Sequence, residues 1–202
     1  MIGMRETEIR NAVFFLVVSL TGCSGALDRE DYVRWVHDYA HELHVEKDWN
    51  DFVFDLQFTP AEYVWLQRHR ENNEKNRENY EREIQKIEQS QYYKMTIRVK
   101  DSNMDFINHD ISTMEEKQRK LYYFSYTFQD DIRLEENGES LPCILYHFER
   151  SVDVKNSRTF LLGFQNPDTD SKEATLVINS EQFGSLPVKI KVSKNNTPLL
   201  AI

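Results

Sequence analysis

The chain lacks most of the local signatures that announce an enzyme. Its 202 residues contain no Gly-x-Ser-x-Gly elbow, no Ser-x-x-Lys, no glycine-rich phosphate loop and no paired-cysteine metal site. Two cysteines, Cys23 and Cys143, are too few for a disulfide framework. Cations are also short: 25 Lys and Arg stand against 34 Asp and Glu, a net charge of -9. Nucleic-acid affinity comes largely from neutralising phosphates with Lys and Arg, so nucleic acid is set aside as a partner. The apolar run Ala12 to Leu20 is too short to cross a bilayer as a helix, which takes about 20 such residues. Cys143 and His147 come nearest to a nucleophile and its base. On a strand, positions four apart point the same way but lie about 13 Å from each other, beyond hydrogen-bond reach. Glu149 and Arg150 read as ion-pairing residues at a strand end.

What is present begins with the leader. Arg5 and Arg10 precede the apolar run, which ends in Leu20-Thr21-Gly22-Cys23, the layout of a secretory signal with small residues at the cut. The Leu-x-Gly-Cys pattern resembles the lipobox of bacterial lipoproteins. The resemblance implies cleavage before Cys23, a lipid-modified cysteine, and a membrane anchor through diacylglycerol and acyl groups. Several acyl chains hold stably where one holds marginally. The resemblance makes 1–22 a signal peptide and 23–27 a short tether; length and periodicity make 28–202 one α+β domain, helical over 28–91 and β-rich over 92–202. Ser24 stands where an Asp would favour inner-membrane retention in the common Gram-negative type, and no acidic run follows Cys23. Both features favour an outer-membrane lipoprotein facing the periplasm. With Cys23 acylated, Cys143 is left as a buried free thiol.

Asp28 is placed to cap a helix. Tyr32, Val36, Tyr39, Ala40 and Leu43 recur at helical spacing, predicting an amphipathic helix from Arg29 to about Val45. His37, His41 and His44 would then share one face, at intervals that can chelate zinc. His41-Glu42-Leu43-His44 has one residue between Glu and the second His where a zincin has two, so boundary packing is the better reading and no cofactor is expected. Asp51 to Phe58 alternates as a strand with Phe52, Phe54, Leu56 and Phe58 on one side. Thr59-Pro60-Ala61-Glu62 reads as a capping box with proline at the first helical position. With no glycine or further proline from Glu62 to about Gln91, one long charged helix follows, apolar at both ends and polar from Gln67 to Asn79. An interruption near Asn72-Asn73 would make it two.

From Tyr92 the period becomes two, with Tyr93, Met95, Ile97 and Val99 inward. Ile111 to Lys117 reads as a short helix, and Leu121 to Phe128, aromatic and β-prone, as a strand extendable to Leu134. Glu136-Asn137-Gly138-Glu139 is a hairpin turn leading into Cys143 to Phe148. Thr159 to Phe164, Ala174 to Ile178 and Val188 to Val192 complete the strands. The fold class expected is α+β: an N-terminal helix, a strand and a long charged helix packed on a mainly antiparallel sheet, sandwich or open barrel. Phe52 to Phe58 followed by Thr59-Pro60-Ala61-Glu62-Tyr63 is similar to uncharacterised lipoproteins of the Bacteroidota.

The function expected is that of a noncatalytic component of a cell-envelope assembly, contacting another envelope protein through the long helix or a sheet edge. Alternatives are a ligand-binding lipoprotein, for glycan or a small hydrophobic molecule, and a toxin-immunity lipoprotein. Trp35, Trp49 and Trp65 are the rings available to stack on sugar, with core packing the more ordinary fate of each.

Overall fold

The computed structural model describes residues 25–69, 74–150, 156–167 and 171–202. The predicted cleavage signal Leu20, Thr21 and Gly22, and Cys23 itself, lie outside the described residues.

The fold is α+β, one eight-stranded antiparallel sheet with four α-helices among the described residues. In chain order the elements are α1 (Arg29–His37), β1 (His44–Trp49), β2 (Phe52–Thr59), α2 (Ala61–Arg68), α3 (Glu74–Ile87), β3 (Ser90–Val99), α4 (Met114–Tyr122), β4 (Ile132–Glu136), β5 (Glu139–Phe148), β6 (Arg158–Gln165), β7 (Glu173–Ile178) and β8 (Val188–Ser193). Strand order is β1-β2-β3-β6-β5-β4-β7-β8. The sheet curls until its edges face each other and is nearly closed. Ser193 donates its backbone N–H to Glu42 O (3.1 Å), and the Trp49 indole and the Asn50 amide both donate to Phe183 O.

The alternation read along β2 and β3 sets the inside of this barrel. Phe54, Leu56, Met95 and Ile97 are fully buried there, with Phe160 and Phe164 from β6. The connections supply the rest: Phe106, Phe124, Phe128 and Phe183 plug the interior. Rings meet edge to face, as in Phe106–Phe124 at 4.8 Å and Phe124–Phe128 at 5.0 Å between centroids, a favoured aromatic geometry. A barrel filled in this way holds side chains where a larger one would hold ligand.

Several sequence expectations are corrected. The stretch Leu121 to Phe128 is helical: α4 runs into a π-helical turn over Tyr123–Thr127 and a 3-10 turn over Phe128–Asp131. A capping box starts it, with Thr113 accepting from Glu116 N and Glu116 accepting from Thr113 N. The helical phase drops Phe124 and Phe128 into the core while Tyr122 and Tyr126 stay outside, which a strand could not do at that spacing. Burial overrides the β-propensity of the aromatics.

The first helix ends at His37, not Val45. Asp38 turns the chain with its side chain accepting from Ala40 N, Glu42 sits in the left-handed region at φ 60°, and His44 opens β1. Tyr39 is consequently exposed. The strand β1 was not foreseen because its charged middle, Glu46-Lys47-Asp48, hides the period; Val45 and Trp49 pack against the core, and the charges suit an edge strand.

The predicted long helix is two helices, α2 and α3, and its last residues belong to β3. Folding back brings its apolar ends together, with Trp65 and Tyr80 at 5.0 Å edge to face, and Val64, Leu66, Ile84 and Ile87 joining Tyr32, Val36 and Leu43 in a second cluster outside the barrel. The box at Thr59 does not form: Thr59 is held in β2, Pro60 is the cap, and Glu62 instead accepts from the Tyr32 hydroxyl at 3.3 Å. Asp28 does cap α1, accepting from Asp31 N at 2.9 Å. The hairpin turn forms as predicted, Asn137 and Gly138 both at positive φ.

Candidate functional site

The predicted site residues are not brought together. His37 accepts at Nδ1 from the Gln57 amide (3.2 Å) and so donates from Nε2 to the Tyr63 hydroxyl (2.7 Å). That pattern requires neutral imidazole, and burial, then the neighbouring His44 and Lys94, push its pKa below the ordinary value. His44 donates from both nitrogens, to His37 O (3.0 Å) and to the Asp55 carboxylate (2.7 Å). Burial alone would lower its pKa, yet Asp55 and the His37 carbonyl overcome burial and raise it. His41 stacks on Trp35 at 3.5 Å. With these ring nitrogens of His37 and His44 engaged and His41 turned to another face, the three histidines do not form a ligand set.

Cys143 and His147 part for a different reason. A bulge at Ile144 shifts the pairing of β5 with β6, so Cys143 packs inward and His147 faces solvent. The predicted common direction is therefore wrong, although the conclusion that they cannot act together stands. Burial pushes the Cys143 thiol up to about 11, and it donates to Leu145 O. Glu149 extends the ladder through its N–H to Thr159 O, and Arg150 donates to the Tyr126 hydroxyl. The three tryptophans go to separate places: Trp35 on His41 with its indole donating to Asn196 O, Trp49 at the seam of the barrel, and Trp65 buried in the outer cluster.

The polar groups that do converge inside are already satisfied. Glu136, at the end of β4, accepts from Lys194 (2.5 Å) and from Gln91 (2.6 Å), and Gln91 accepts from Tyr93 and Lys194. This buried network closes one end of the barrel. At the other end Tyr123 donates to Asp131 beside the Ser180 hydroxyl, which accepts from Gln182 N and so serves as a cap. Burial, then Asp131, raises the Tyr123 pKa, so the carboxylate holds a phenol and leaves Ser180 without a base.

The unfinished surface lies outside the sheet. Helix α2 covers part of the outer face of β3 and stops short of β6 and β5. Across that bare half the register places Lys94 beside Leu161 and Leu161 beside His147, and in the next row Tyr92 beside Gly163 and Gly163 beside Leu145. Ile144, Leu145 and Leu161 are 60%, 45% and 37% exposed. Between them and α2 runs a groove of about 190 Å³, walled by Tyr63, Val64, Leu145 and Leu161.

Gly163 makes the floor possible. A Cβ there would meet the Leu145 Cβ at 2.8 Å, so a side chain would drive Leu145 off the sheet. Ile144, the extra residue of the bulge, is exposed next to Leu145 but does not line the groove. Lys94 and Arg68 line the rim, both exposed and neither in an ion pair among the described residues. On a chain of charge -9 this groove is apolar with a cationic edge. One signal in the sequence could have found it: Leu161 puts an apolar residue at an outward position of an alternating strand.

No protein-family model matches the chain, and no curated protein matches it. Two solved structures are similar. One is a novel protein of unknown function from Burkholderia pseudomallei, at 10% identity and a TM-score of 0.36 over 84% of this chain and 87% of that one. The other is a DUF4426 family protein from Pseudomonas aeruginosa, at 6% identity and a TM-score of 0.35 over 75% of this chain and 94% of that one. Among the described residues no helix is long and apolar enough to cross a membrane.

Proposed function

We propose that this chain is a bacterial lipoprotein, anchored by acyl groups on Cys23 in the outer membrane and facing the periplasm, and that it serves as a noncatalytic component of a cell-envelope assembly. The observation that carries the partner-binding part is the bare groove between α2 and β5. An exposed, contiguous aliphatic surface on a monomer marks an interaction site, and aromatic and aliphatic anchors inside a polar rim are how partners are held. Lys94 and Arg68 at the rim call for a partner segment that is apolar on one side and carboxylate-bearing on the other. The groove supports a contact on a sheet face, a third choice beside the helix and the sheet edge.

Size argues against the ligand-binding alternative. Pockets for drug-sized molecules run to about 300–1,000 Å³ and are mostly apolar; the apolar groove offers about 190 Å³ beside a barrel filled with phenylalanine, and the roomiest cleft, about 800 Å³ around Glu135, Glu139, Lys172 and Lys191, is lined by polar and charged side chains. The separated tryptophans likewise give a glycan no platform.

A photo-crosslinking residue at Leu161, in cells of the native host, should trap one envelope protein that the same residue at the exposed Met114 does not. The trapped partner, purified, should bind Leu161→Asp at least tenfold more weakly, while the variant's unfolding free energy stays within about 0.5 kcal/mol of wild type. Equal trapping at both positions, or unchanged affinity, removes the groove from the interface. Metabolic labelling with palmitate should mark wild type and not Cys23→Ser.

A further inference from the structure

We infer that the pole of the molecule carrying Leu199 and Ile202 lies against the bilayer, and that these two side chains enter its acyl region beside the lipid on Cys23. The inference rests on the acylation proposed above and adds an orientation to it.

Leu27 follows Cys23 by four residues. An extended chain spans at most about 3.6 Å per residue, so the attachment point lies within about 14 Å of Leu27. Leu27 is no part of a leash. Its N–H donates to Leu199 O and its carbonyl accepts from Ala201 N, both at 2.8 Å, in a parallel bridge with Leu200. Both Leu27 and Leu200 pack against the outer hydrophobic cluster. A bilayer of about 40–45 Å with a hydrocarbon core of about 30 Å leaves a headgroup layer of about 5–8 Å on each side. A tether of that reach crosses this layer and little more, so the bridge at Leu27 must sit at the membrane surface.

The bridge also decides which side chains face outward. With Leu200 turned to the body, alternation turns its neighbour Leu199 outward, 66% exposed; Ile202, two residues past the bridge, is 43% exposed by the same measure. Leu186 provides a matched contrast: it is another leucine 66% exposed, but it precedes β8, whereas Leu199 follows it, and the strand between them is about 17 Å long. Charge points the same way. Asp28 and Glu30 are exposed beside the bridge, the Arg29 guanidinium is turned to the carbonyls of Leu66 and His69, and Lys194 is committed to Glu136, so among the described residues next to the bridge the groups offered to lipid are apolar side chains and not cations for anionic headgroups.

The test uses the full acylated chain in vesicles of phosphatidylethanolamine and phosphatidylcholine carrying spin-labelled lipid. In a Cys143→Ser background, a bimane fluorophore is attached at Ala201→Cys or, as the distal control, at Ser185→Cys beside Leu186. Quenching should be several-fold stronger at 201 than at 185, should fall to the level of 185 in the Leu199→Ser/Ile202→Ser double variant, and should not rise when phosphatidylglycerol is added. Equal quenching at the two sites on protein whose Cys23 carries acyl groups by mass spectrometry overturns the orientation and leaves the anchor intact. An unmodified Cys23 thiol overturns the anchor, and the orientation with it.

Discussion

The molecule has two hydrophobic clusters, built differently on the two sides of one sheet. Inside the barrel, Phe54, Phe106, Phe124, Phe128 and Phe160 come from strands and connections alike and are all fully buried. Outside, Tyr32, Val36, Val64, Trp65, Ile84 and Ile87 come from three short helices laid over β2 and β3, and the cluster simply stops where α2 ends. The inner cluster is closed on all sides by the curl of the sheet. The outer one has a margin, and that margin is the groove. Interaction surface in this fold is created where a packing layer runs out.

The comparison can be broken in order of expected effect. Phe124→Ala, in the closed interior, should destabilise by about 3–5 kcal/mol, read as a fall in the urea midpoint, because surrounding rings cannot collapse into the space. Ile87→Ala, in the open cluster, should lie at the low end of its class, about 2–3 kcal/mol, since a layer with a free margin can relax. Hydrogen exchange should show its loosening confined to the helical layer, with amides of β6 still protected. Equal global loss in both variants would mean the two clusters form one cooperative unit.

At the boundary, Gly163→Ala should cost about 1–3 kcal/mol through its clash with Leu145, and Leu145→Ala in the same chain should recover most of it. No recovery would show that the glycine serves the backbone instead of the groove floor.

The smallest effect is electrostatic and belongs to the outer layer. His44 has its pKa raised above the ordinary 6.5, so its contribution is whole below that value and is lost as pH climbs through the raised one. Asp55 has its pKa lowered: burial opposes this, but His44 and Tyr39 donating to the carboxylate prevail. Its contribution is present above the ordinary 3.8 and fades as pH falls through the lowered value. The stability gap between wild type and Asp55→Asn should thus be widest between about pH 4 and 6.5 and narrow on either side. A gap that keeps widening above pH 8 would dismiss the imidazolium.

Much of the architecture was legible in the residues. The alternation in Phe52 to Phe58 and in Tyr93 to Val99, the Asn137-Gly138 turn and the Asp28 cap each formed where they were read, because each is settled within a few residues of chain. The misreadings share the opposite property. Leu121 to Phe128 looks like a strand until the barrel interior takes Phe124 and Phe128 as part of its plug. His37, His41 and His44 look like one helical face until Asp38 and Glu42 turn the chain and Asp55, thirteen residues from the nearer end of that turn, claims His44. The groove was invisible for the same reason, since the bulge at Ile144 acquires meaning only opposite Gly163.

Sequence by itself determined the class of fold and the identity of most strands, since periodicity and turn chemistry are local. Tertiary structure decided that the sheet curls to near closure, that the long charged segment folds back on itself, and which aliphatic side chains are left uncovered. Those outcomes depend on side chains from distant positions competing for the same buried volume, and that competition has no counterpart in the order of residues along the chain.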